Sequence, residues 1–194
     1  MLVAAVAVMS VIMPYHICSA IFCYVCFILC VSFNIGIGVG KKWSVGYPLA
    51  FCEAGLCFAL LTMGTGAYWG YHAWGQAWIW EPRLTGMFLT TLFFLSWRLV
   101  CAVLGNALVA NKKLTSSLII LGLPGIAFTH FAVRLFGGVH PSSVKQMHGV
   151  IEEKWAIALV VTGFLMMGAG WVALRVRQVK KGLKKAGRMA QDAP

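Results

Sequence analysis

Acidic side chains are scarce in this sequence: five Asp and Glu stand against sixteen Lys and Arg, and only 11% of the 194 residues are charged. With 60% hydrophobic residues beside so little charge, the chain has more apolar surface than a soluble domain of this length can bury, which excludes a soluble globular protein. No internal repeat stands out. No nucleophile with a partnered base occurs outside the apolar stretches, so hydrolysis has no support and a non-enzymatic role is expected. Zinc chemistry is a poor fit as well. Cys18, Cys23, Cys26 and Cys30 run along one apolar stretch, and Cys52, Cys57 and Cys101 lie in others. Cys23 and Cys26 spell C-x-x-C without a second pair and read as small packing residues. Gly36, Gly38 and Gly40 follow no strand, so their G-x-G-x-G is a turn rather than a phosphate cradle.

What the sequence does have is apolar length. A helix needs about 20 mostly apolar residues to cross a hydrocarbon core of roughly 30 Å, and five segments qualify: about 12–36, 47–67, 84–109, 114–136 and 154–174. The expected fold is an all-α integral membrane bundle of about five transmembrane helices, with residues 1–194 as one domain and 175–194 as a basic cytoplasmic tail. The run Met1–Met13 is too short to span before Pro14 interrupts it. Short loops rich in Lys and Arg stay in the cytoplasm. Lys41, Lys42, Lys112, Lys113 and the seven basic residues from Arg175 to Arg188 thus mark the inside, where the positive charge meets anionic lipid rather than nucleic acid. The N-terminus and the loops Tyr68–Arg83 and Gly137–Glu153 are then expected to face outward. Within the membrane, Arg98 is either functional or able to snorkel to the nearby inner surface, and Glu53 also lies near that surface.

Two features collect on the outward side. Four of the eight tryptophans, Trp69, Trp74, Trp78 and Trp80, crowd twelve residues, separated by Gly70 and Gly75, which are expected to let the backbone turn tightly. An interfacial belt would spread its tryptophans over many helix ends; this clustering suits a platform for a flat ligand. Pro82 fits the first turn of the following helix, with Glu81 near its positive N-terminus. All five histidines, His16, His72, His130, His140 and His148, also fall on this side. Haem answers both features, because its faces take indole packing, its iron takes imidazole, and its propionates take cations. Two imidazoles across one iron need nitrogens roughly 4 Å apart, from two bonds of about 2 Å. They must come from separate converging segments, and His16 and His140 are such a pair. Arg83, Arg134 and Lys145 are outward cations that suit propionates or lipid headgroups equally.

The segment "WGQAWIWEPRLT" resembles the tryptophan-rich W-G-x-W-W-x-W-D signature of haem-handling proteins in cytochrome c biogenesis. With "YHICSAI" at Tyr15–Ile21 and "GLPGIAFTHFAVRLFGGVH" at Gly122–His140, in matching order, the chain is similar to the cytochrome c maturation protein C (CcmC) family. That resemblance implies a bacterial inner-membrane protein that binds one haem b at the periplasmic face. It also implies haem delivery to the chaperone CcmE, beside ABC transporter subunits and a small membrane subunit. His16 and His140 match the family's iron ligands, and Trp69, Trp74, Trp78 and Trp80 match its motif tryptophans. Glu81 replaces the usual aspartate, Ala77 stands where a tryptophan is usual, and His130 matches a family histidine without an axial role. His72 occupies a variable position and reads as a headgroup contact. Family members usually have six spanning helices, so the first appears absent here or the recorded start is late.

Two other classes compete. A cytochrome b-type electron-transfer subunit would also use two histidines, normally inside facing helices rather than in outer loops. A transporter of aromatic or cationic solutes would use tryptophans as a cage, but needs a polar path at the bilayer midplane, and the sequence is poor in such residues.

Overall fold

A computed structural model describes residues 2–105, 112–140 and 154–191. These residues form six helices: α1 Leu2–Gly38, α2 Gly46–Trp74, α3 Pro82–Leu104, α4 Lys112–Ile120, α5 Gly122–Phe136 and α6 Lys154–Gln191. Five segments are long and apolar enough to cross a membrane, with α4 and α5 together making one of them, Lys113–Phe136. The chain is a multi-pass, all-helical membrane protein. In hydrocarbon each backbone donor must be satisfied within its own segment, which makes the helix the default form for every apolar run.

Where helices end differs from the sequence expectation at several points. Pro14 does not interrupt α1, which runs through it. A proline removes one backbone bond, and a helix without water around it gains nothing by breaking further. The fourth span does break, at Leu121, whose N–H bonds back to Leu118 O at 3.2 Å. Pro124 has no N–H to offer Ile120, so the helix restarts at Gly122. At the other extreme, α6 passes the expected boundary at 174 and carries the basic stretch as its own continuation.

The core is built from close approaches. The rings of Phe27 and Phe94 stack at 3.9 Å across α1 and α3. Phe27 also lies so near Gly55 of α2 that a Cβ there would come within 2.6 Å of its ring. On α5, Gly122 and Gly125 face Phe93 and Thr90 of α3 in the same manner, the small-residue packing that replaces hydrophobic driving force inside a bilayer. Cys18, Cys23, Cys26, Cys30, Cys52 and Cys101 are buried and unbridged, whereas Cys57 is exposed. The order of the described helices gives the molecule two ends. The histidine end gathers His16, the α2–α3 connection and residues 137–140. The basic end gathers Lys41, Lys42, Lys113 and the last turns of α6.

At the basic end, Glu53 of α2 joins three helices. Its Oε1 accepts from Arg98 Nε of α3 at 2.8 Å, and Arg175 of α6 donates to both carboxylate oxygens at 2.9 Å. This pairing explains why α6 continues through Arg175: the cation has a partner inside the bundle, and Val176 beyond it is buried. Arg98, for which snorkelling and function were equal readings, is a bundle clamp.

Candidate functional site

His16 sits within α1, fourteen residues after the helix begins and near the start of its membrane-spanning part, rather than in an outer loop. Its Nδ1 lies 3.0 Å from the carbonyl oxygen of Thr62 and 3.3 Å from Thr65 Oγ1, both on α2. A carbonyl only accepts, so Nδ1 carries the proton and Nε2 keeps its lone pair. The same patch is braced by hydroxyls: Thr62 Oγ1 donates toward Ser19 Oγ at 2.9 Å, and Ser19 Oγ donates to the backbone oxygen of His16 at 2.9 Å. Gly66 completes the seat, since a Cβ there would come within 2.8 Å of the His16 ring.

His140 arrives from the segment after α5. Its ring centroid lies 6.2 Å from that of His16, with the planes at 63°, and 6.2 Å from that of Trp74. Burial first, then the Arg83 guanidinium, then His16, push the His140 imidazole down to about 3. The ring is therefore neutral at ordinary pH, and its buried Nδ1 has no hydrogen-bond partner. The segment is set by Gly137 and Gly138, with φ of +73° and +149°, a region that suits glycine. A Cβ on Gly138 would collide with Glu81 Oε2.

Glu81 thus has two neighbours. It is the N-cap of α3, accepting from Leu84 N–H at 3.2 Å through Oε1, with Pro82 in the first turn as expected. Its Oε2 is buried without a hydrogen-bond partner, beside the backbone that carries His140.

The tryptophans do not share one loop. Helix α2 reaches Trp74, so Trp69 and Trp74 stand on its last turns, where their rings meet edge to face at 5.0 Å. Gly75, with φ of +75°, makes the expected turn, its N–H bonding to Tyr71 O at 3.0 Å. Gly70 does something else: it lies inside the helix and makes room for the Trp74 ring, which a Cβ would approach to 3.3 Å. Trp78 and Trp80 form a second group with Phe88, at 5.7 to 6.1 Å, and Trp80 is 71% exposed. Trp74 of the first group therefore lies beside His140, and Trp80 of the second faces outward.

Of the other candidates, Arg83 is half-buried and donates to His130 O at 3.5 Å, close enough to His140 to act on its charge. His130 and Arg134 are exposed on α5, and the His130 ring packs on Phe131 rather than on the pair. His72 is exposed on α2 between Tyr68 and Tyr71. Lys145 and His148 lie outside the described residues. Sequence reasoning missed Thr62, Gly66 and Gly138, because their parts depend on a neighbour's position and carry no motif of their own.

The site's residues fit a haem. Two imidazoles from separate segments meet edge to face, one with Nδ1 donating to a carbonyl so that Nε2 is the nitrogen left for a ligand, and the Trp74 ring stands beside them. Trp69 Nε1, Trp78 Nε1, Glu81 Oε2 and His140 Nδ1 are buried polar atoms without partners.

Comparison with known proteins points the same way. The family model for heme exporter protein C matches residues 4–190. The chain is 29% identical over 152 residues to heme exporter protein C of Rhodobacter capsulatus, covering 73% of this chain and 62% of that protein. It is 35% identical over 109 residues to a putative cytochrome c biosynthesis ccmC-like mitochondrial protein of Arabidopsis thaliana, covering 56% and 40%. The heme exporter protein C of Escherichia coli K12 is 21% identical over 157 residues, covering 76% and 62%. The chain spans less than two thirds of the length of these relatives.

Proposed function

Because the chain belongs to the heme exporter protein C family, we propose that it holds haem as a cargo between His16 and His140 and releases it to the chaperone CcmE for cytochrome c maturation. The observation that carries this reading is the His16–His140 ring pair at 6.2 Å, with Trp74 beside it. Thr62 holds the His16 proton on Nδ1, so Nε2 is the atom that faces iron. Glu81 and Gly138 hold the segment of His140, and Trp69 and Trp74 supply macrocycle packing. Arg83, and more peripherally Arg134 and His130, suit the propionate edge. The proposed cargo is haem b, held through its iron by the two imidazoles. An ABC transporter and a small membrane subunit are the proposed companions.

Orientation belongs to the same proposal. Positive residues collect at the basic end, so the histidine end faces the periplasm and the C-terminal helix ends in the cytoplasm of a bacterial inner membrane. The basic stretch within 175–194, beyond the Arg175 clamp, then forms a cytoplasmic tail to a single haem-handling domain. Reporter fusions at Gly75 and Gly40 test this. A cytoplasmic signal at Gly75 overturns it.

One observation favours a second reading, a bis-histidine electron-transfer subunit: His16 lies inside a helix rather than in a loop. The two readings part on transfer. Haem co-purification with the chain, followed by haem staining of CcmE, gives a labelled chaperone only if the chain is a donor. A chain that holds haem, undergoes reduction and never labels CcmE is an electron carrier.

A further inference from the structure

A cavity of about 590 Å³ lies away from both histidines, between α6 and the α1–α2 pair. One end is closed by Phe58 and Phe164, the middle is lined by side chains such as Val25 and Ala169, and the other end opens at Arg177 and Lys180. Residues 164 to 180 of a helix rising about 1.5 Å per residue span about 24 Å. Half of a bilayer with headgroups measures about 20–22 Å. The groove therefore has the length of one leaflet, apolar along the acyl depth and cationic where headgroups lie.

Its width selects the occupant. Spread over that length, the volume corresponds to a mean cross-section of about 25 Å², whereas a helix with side chains is about 10–12 Å across. A neighbouring helix does not enter such a slot, and an extended methylene chain does. Its lining contains no histidine to hold haem iron. Gly168 and Ala169 keep the α6 wall low, with the nearest side-chain atom of Phe58 3.9 Å from where a Gly168 Cβ would be. Among the described residues, no carboxylate pairs with Arg177 or Lys180, and Glu53 is held by Arg98 and Arg175.

We propose that this groove is a binding site for one anionic phospholipid of the leaflet at the basic end, with an acyl chain along α6 and its phosphate between Arg177 and Lys180. The site is independent of haem. It seals the seam where α6 rests on the rest of the bundle and so helps to seat the helix that closes the Glu53 clamp.

The test uses the full chain in bilayer discs of phosphatidylglycerol and phosphatidylethanolamine at one to three, with retained lipid counted by native mass spectrometry after mild detergent extraction. The wild type is expected to keep one phosphatidylglycerol per chain. Arg177→Gln with Lys180→Gln, both exposed positions, should reduce retention about tenfold. Ala169→Trp, which fills the slot, should do the same. Lys184→Gln with Lys185→Gln removes the same charge off the groove and should retain the lipid. Equal retention in the two double variants overturns the site, as does equal retention of phosphatidylethanolamine. Retained haem or a co-purifying helical peptide lost only on Ala169→Trp likewise overturns it, in favour of that occupant. If Ala169→Trp fails to fold, the comparison of the two surface double variants decides alone.

Discussion

At the basic end of the bundle, Glu53 satisfies Arg98 and Arg175 at once and ties three helices together. Asn34 and Ser116 pair at 2.8 Å there, and Trp97 donates to Thr115 O at 3.2 Å. At the histidine end, four buried polar atoms, on Trp69, Trp78, Glu81 and His140, have no hydrogen-bond partner. A buried polar atom left unpaired costs about 1–3 kcal/mol, more than a typical surface pair returns. Such a cost collects where a protein keeps groups ready for something else. Among the described residues, the polar groups of the basic end are paired with one another, whereas those four at the histidine end are not.

The contrast breaks most sharply at the histidines. His16→Ala with His140→Ala should lower co-purified haem by more than about 100-fold, beyond the 10–100-fold cost of losing a supporting shell alone. The thermal midpoint should fall only slightly, since losing the bond between His16 and Thr62 costs about 0.5–1.5 kcal/mol. Unchanged haem content in the double variant ends the assignment; partial rescue of the glycine versions by imidazole strengthens it.

Glu53→Gln should behave in the opposite way. It leaves two guanidiniums without their carboxylate in a partly buried place, and a loss of about 1–3 kcal/mol follows once solvent screening is allowed for. Denaturant or thermal unfolding should register the loss, while haem per folded chain stays the same. If haem falls and stability does not, the two ends are coupled and the comparison fails.

Gly66→Ala sharpens it further. Alanine favours a helix by about 1 kcal/mol over glycine, yet here its Cβ meets the His16 ring. Haem loading should fall about tenfold, as for other groups that orient a ligand, with no loss of stability. A stabilised protein with full haem content would show that the His16 ring tolerates a different seat.

How much of this was legible beforehand follows from what kind of signal each feature leaves. Five spans were readable because apolar length is a local property, and the His16–His140 pair was nominated because both residues stand apart in an apolar chain. Helix ends were not readable. Arg175 looked like a boundary until Glu53, 122 positions away, gave it a partner. Trp69 and Trp74 looked like loop residues because the turn signal at Gly75 was extended back to Gly70, which instead makes room inside α2. Gly66 and Gly138 are informative only by lacking a side chain, and the group that needs the space comes from another helix or from the cap of α3.

The smallest expected effect divides the tryptophans themselves. Trp74 touches Trp69 and His140, whereas Trp80 is largely exposed and rests on Trp78 and Phe88. Packing against a macrocycle at the pair therefore falls to Trp74, and an edge-to-face aromatic contact is worth about 0.5–1.5 kcal/mol, so Trp74→Ala should lower haem loading about threefold. Trp80→Ala removes a ring that faces outward, beyond the pair, and should leave loading and the bis-histidine spectrum as they are. An exposed indole at the rim of such a site suits contact with an acceptor, so the same variant should slow haem labelling of CcmE by about two- to threefold, measured as stained chaperone per unit of haem-loaded donor. Loss of loading with Trp80→Ala would put its ring on the macrocycle after all, and unchanged labelling would leave it as an interfacial tryptophan at the membrane surface.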